Sequence, residues 1–194
     1  MKINNILVKL LNVFTVATLV HGKDTTDGDR KATSRNLITV TSLKAFMEST
    51  GTEAGKKYPD LDGWVKVERE PNAGDLIINY FINNGPIQCD DCRLGIFTGS
   101  KCSMIDSAQS LFDPDEVPNP WRADKGAQYV TNNKGTGAGF INVFNGRGFR
   151  QHTCMLVGLF DSRDDNVNAH MRSRAIGCAR LIPEGQDKDF CEKY

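Results

Sequence analysis

Apolar residues along this chain recur in short runs separated by turn signals, and no run has the length of an amphipathic helix. WVKVERE (64–70) alternates, with Trp64, Lys66 and Glu68 against Val65 and Val67, as a strand does when one face is buried and the other wet. CMLVGLF (154–160) is apolar throughout and predicts a strand that lies deeper than the alternating ones. The same reading predicts strands at LITVTSL (37–43), DLIINYFI (75–82), LGIFTG (94–99), AQYVT (127–131), GFINVF (139–144) and AIGCARLI (175–182). At LKAFMEST (43–50) a helical turn competes. The separators PNAG, NNGP, NNKGTGAG and NGRG are turn clusters, and GTGAG (135–139), with no helix after it, reads as a hairpin turn rather than a phosphate loop. About eight strands at this spacing predict an all-β sandwich or barrel over residues 37–183, with 184–194 as a C-terminal tail. FDPDEVPNPWRADKG (112–126) carries three prolines and no period, so it predicts a long ordered loop of the kind that packs around a site.

The N-terminus changes the compartment. MKINNILVKLLNVFTVATLVHG joins Lys2 and Lys9 to an apolar run, Leu10 to Val20, and ends in compact residues. Residues 1–22 therefore predict a cleaved signal peptide, since the run is shorter than the ~20 residues a membrane span needs. KDTTDGDRKATSRN (23–36) is polar, without an apolar period, and reads as a flexible lead-in. Removing the leader's two lysines from 24 basic side chains leaves 22 against 24 acidic ones. Such a balance predicts neither nucleic acid nor membrane insertion, because polyanions attract a basic patch.

A secreted chain keeps cysteines oxidised, and six of them (Cys89, Cys92, Cys102, Cys154, Cys178 and Cys191) predict three disulfides among fifteen possible pairings. CDDC (89–92) could be a redox dithiol. No helix start follows to stabilise a thiolate, and two acids oppose one, so structural bridges from Cys89 and Cys92 to others such as Cys154 or Cys191 are the favoured reading. Zinc held by CDDC and two further thiols lacks a matching second pair. Outside the leader, which holds His21, the histidines are His152 and His170, both read as surface or hydrogen-bonded structural residues. No spacing places either beside a nucleophile.

Four marks then fall in order: DCRLGIFTGSKC (91–102), LFDP (111–114), ADKG (123–126), and LFDSRDD (159–165) with IGCARLI (176–182). Their order and hydrophobic frame resemble the Cu/Zn superoxide dismutase family over roughly residues 63–182. The resemblance implies a Greek-key barrel and a disulfide from Cys102 to Cys178. It puts Gly95 and Phe97 where two copper histidines stand, Leu111 at the histidine shared by both metals, and Phe160 at the last copper histidine. Asp124 falls at the zinc aspartate and Asp164–Asp165 at the family's acidic pair, while the anion-guiding arginine falls near Ala175, beside Arg174. Two histidines cannot supply a copper and a zinc site. The expectation is a scaffold whose metal positions are an apolar plug of Phe97, Leu111 and Phe160, with no cofactor and no dismutase activity. Its role is then extracellular binding, carriage or structure, with a protein partner or a second copy at the surface near Cys102 and Cys178. The rival expectations are an active dismutase or thiol oxidoreductase, and an unrelated disulfide-rich β-sandwich.

Overall fold

The computed structural model describes residues 40–69, 74–121, 127–161 and 175–193. The signal-peptide and lead-in readings lie outside them.

Strands β1 (Ser42–Ser49), β2 (Asp62–Arg69) and β3 (Asp75–Asn83) form an antiparallel meander, in which Val65 faces Ala45 on one side and Tyr80 on the other. β3 then pairs not with β4 (Cys92–Phe97) but with β6 (Gly137–Phe144). β4 lies between β5 (Gln128–Tyr129) and β7 (Leu156–Phe160), and β8 (Ala175–Arg180) joins β7 to β1. The order is β5-β4-β7-β8-β1-β2-β3-β6, with β9 (Ile182–Pro183) also on β1. The two ends of this path, β5 and β6, are consecutive in the chain. The Tyr80 hydroxyl on β3 accepts from Val130 N at 3.1 Å, and Tyr80 and Tyr129 meet edge to face at 6.0 Å. The result is an eight-stranded antiparallel barrel, nearly closed, which leaves little free sheet edge.

Burial follows the sequence pattern. Along β3 exposure alternates residue by residue, whereas every residue of β7 is buried. The reason is a second layer. Leu94, Ile96, Val157 and Leu159 belong to the main core. On the opposite face of the same strands, Phe97, Leu156 and Phe160 form a smaller cluster with Ala175 and Cys178 of β8, Ile105 and Ala108. Ile105 lies in the 3-10 segment Cys102–Ser107, which Ala108 ends.

Three expectations change. Among the described residues the first strand is 42–49, so the stretch where a helical turn competed is β1 itself; of the strand expected at 37–43, residues 37–39 lie outside the described residues and 40–41 are not in a strand. The run read as one strand at 175–182 divides at Leu181 into β8 and β9. The GTGAG stretch divides: Asn132 Oδ1 accepts from Lys134 N at 2.8 Å and Thr136 N at 3.1 Å at the turn between β5 and β6, whereas Gly137–Gly139 already belong to β6, and β6 pairs with β3 rather than closing a hairpin with β5. The C-terminal residues are tied back, since Cys191, in a four-residue helix (Phe190–Lys193), is bonded to Cys154.

Candidate functional site

β4 and β7 position the residues that the family resemblance singled out. Gly95 lies opposite Gly158, and Phe97 opposite Leu156. The rings of Phe97 and Phe160 are both buried and meet edge to face, 5.7 Å apart at 62°. They lie over the two glycines: a Cβ on Gly95 would come within 2.7 Å of Phe97 Cζ, and one on Gly158 within 3.0 Å of Phe160 Cζ. A side chain at position 95 and the Phe97 ring therefore compete for one volume. The absence of β-carbons on both strands makes the ring pair possible.

Leu111 departs from the expectation. It packs against the main core rather than with Phe97 and Phe160, so the proposed three-residue plug is a pair of rings plus a separate leucine. The reason is the loop at 112–121. Trp121 is buried and its Nε1 donates to Leu111 O at 2.8 Å, a carbonyl that also accepts from Asn145 Nδ2 at 3.2 Å. Trp121 thereby holds the loop on the barrel, with its Cβ 3.6 Å from where a Gly95 Cβ would be. Asp124, Asp164, Asp165, His170 and Arg174 lie outside the described residues.

Cys102 and Cys178 are joined, pinning the 3-10 segment to β8. The favoured reading for CDDC is corrected: Cys89 and Cys92 pair with each other, which leaves Cys154 to Cys191. Sequence gave no reason to prefer this, because a three-residue separation can close only if the turn brings the two Cα atoms near, here to 5.6 Å.

His152 is fully buried. Its Nδ1 donates to Phe149 O at 3.2 Å, and Nε2 accepts from Asn145 Nδ2 at 2.7 Å. Burial lowers its pKa below the ordinary value of 6.5, against the raising effect of the Phe149 and Gly148 backbone, with Arg147 lowering it further. The imidazole is a neutral tie within the β6–β7 connection, and Asn145 carries the link on to Leu111 O. Asn145 is the partner the sequence reading missed, and nothing in NGRG marked it as buried.

Beside the Cys102–Cys178 bridge is an open groove of about 250 Å³ lined by Lys44, Phe46, Glu48, Arg180 and Lys188 among others. Phe46 is 53% exposed there, with Lys44 Nζ 4.9 Å from its ring centre. Among the described residues no helix is long and apolar enough to cross a membrane. No family model matches the chain, and no curated protein matches it in sequence.

Proposed function

We propose that this chain is a secreted barrel related to Cu/Zn superoxide dismutase that has lost the copper and zinc chemistry and acts by binding an extracellular protein. The observation that carries the reading is the ring pair of Phe97 and Phe160 over Gly95 and Gly158, which fills with carbon the volume where the resemblance would put imidazoles. Copper cycling needs several nitrogen ligands, and edge-packed phenyl rings offer none. The strand order supports the kinship: β7 returns beside β4 and β3 pairs with β6, the two crossings that a Greek-key connection would need. The Cys102–Cys178 bridge supports it also, since it joins the two positions that the resemblance paired. Without a reactive centre, the groove with Phe46 is the surface best suited to a protein partner or a second copy, because interface centres are enriched in aromatic side chains and surrounded by a polar rim.

The test is elemental analysis of the secreted, disulfide-bonded protein after equilibration with copper and zinc, together with superoxide decay. The expected outcome is no stoichiometric copper and no decay above the uncatalysed rate. One copper per chain with activity would overturn the proposal.

A further inference from the structure

Cys92 opens β4, Cys89 lies in the turn before it, and Asp161 directly follows β7. The antiparallel register sets Arg93 opposite Phe160, so the start of β4 and the end of β7 meet. The two sulfurs and an Asp161 carboxylate oxygen all lie within 4.8 Å of one another. A third element orients the carboxylate: the Tyr58 hydroxyl donates to Asp161 Oδ2. Both cysteines are buried, whereas Asp90 and Asp91 between them are exposed, and Asp91 Oδ1 is 3.9 Å from Cys89 Sγ. Sequence alone offered CDDC no further ligands, and the tertiary fold supplies a carboxylate from far along the chain.

We propose that Cys89, Cys92 and Asp161 form a redox-gated site for a thiophilic divalent cation of the zinc class. It is closed while the sulfurs are joined and opens when a thiol reductant separates them. Two molecules of reductant thiol pass two electrons and two protons to the disulfide, leaving two protein thiols and one reductant disulfide. The cation then displaces both protons, and two thiolates with one carboxylate oxygen hold it, water taking the fourth position. Two thiolates and a carboxylate place three negative charges around a dication, and Asp90 and Asp91 add an attracting field at the rim. Tyr58 is a positioning residue, since its hydroxyl fixes the carboxylate rather than the metal. The proposal does not rest on kinship with the dismutases, and copper in the oxidised protein would leave it standing.

Cobalt(II) is the probe, because thiolate coordination gives it intense near-ultraviolet and visible absorption. The full chain, reduced with a phosphine under inert gas, should develop that absorption and saturate at one cobalt per chain, while the oxidised chain should not. The Cys89→Ser/Cys92→Ser variant, reduced in the same way and still carrying the other four thiols, should show none. Asp161→Asn should weaken binding by tenfold or more, Asp161→Glu should retain it, and Tyr58→Phe should weaken it by about tenfold. Equal cobalt binding by the double-serine variant, or an Asp161→Asn variant as tight as the parent, would overturn the assignment.

Discussion

At His152 the fold selects a protonation state. Its acceptor nitrogen faces an amide N–H of Asn145 and its other nitrogen already donates to Phe149 O, so a second proton would point at a donor in a buried space. Unfolded, the imidazole titrates near 6.5; folded, its pKa lies lower, chiefly through burial. The unfolded chain therefore binds more protons as pH falls, so the stabilisation is fully present above the unfolded value and is lost as pH drops through the window down to the folded one. Urea unfolding across that window should show stability falling by up to about 1.4 kcal/mol per pH unit from this group. His152→Gln should flatten that part of the profile, and an unchanged slope would mean the histidine is already solvated. That His152 is structural was open to sequence reading, which left burial undecided because the turn that brings Asn145 to it, and Asn145's bond to Leu111 O, appear only in the fold.

Two strands show how an element's environment overrides its composition. SLKAFMES is rich in helix formers, yet Leu43, Ala45 and Met47 alternate with Lys44, Phe46 and Glu48, and seven register pairs with β2 hold it extended. Local propensity is worth tenths of a kcal/mol per residue, and ladder pairing with core burial outweighs it. In β4 the reverse sign is expected of a substitution that propensity favours. Gly→Ala within a strand normally helps, but Gly95→Ala would force the buried Phe97 ring away from a contact of 2.7 Å. It should destabilise by about 1–3 kcal/mol in denaturant titration. A stabilised Gly95→Ala protein would show that the ring pair moves freely and that the layer over β4 and β7 is loose.

Across the whole molecule, three disulfides constrain very different lengths of chain, with separations of 76 residues for Cys102–Cys178, 37 for Cys154–Cys191 and 3 for Cys89–Cys92. In the chain-entropy model their removal costs about 4.5, 3.8 and 1.6 kcal/mol in that order. Paired cysteine-to-serine variants should follow this ranking in guanidinium unfolding. A larger loss from Cys89–Cys92 than from Cys102–Cys178 would mean that the short bridge organises the barrel end rather than merely closing a turn. The Cys102–Cys178 bridge also clamps the outer layer of Ile105, Phe97 and Phe160, so its loss should expose apolar surface that binds a hydrophobic dye.

Period-two alternation and turn clusters determined the all-β class and the positions of most strands, because a strand's two faces are written into neighbouring residues. The shortage of histidines likewise bounded the chemistry, since ligands that are absent cannot be assembled by any fold. The sequence pattern could not say which strands pair or, beyond the Cys102–Cys178 bridge that the resemblance implied, which cysteines bond. Nor could it reveal that Leu111 parts from Phe97 and Phe160, that Asn145 meets His152, or that Asp161 sits beside two sulfurs. Apart from Asn145–His152 and Cys89–Cys92, which a local turn brings together, those are relations between segments tens of residues apart, created by the crossing from β3 to β4 and the return of β7 beside β4. Local chemistry leaves such contacts nearly degenerate, and only closure of the barrel, with its shared core, selects among them.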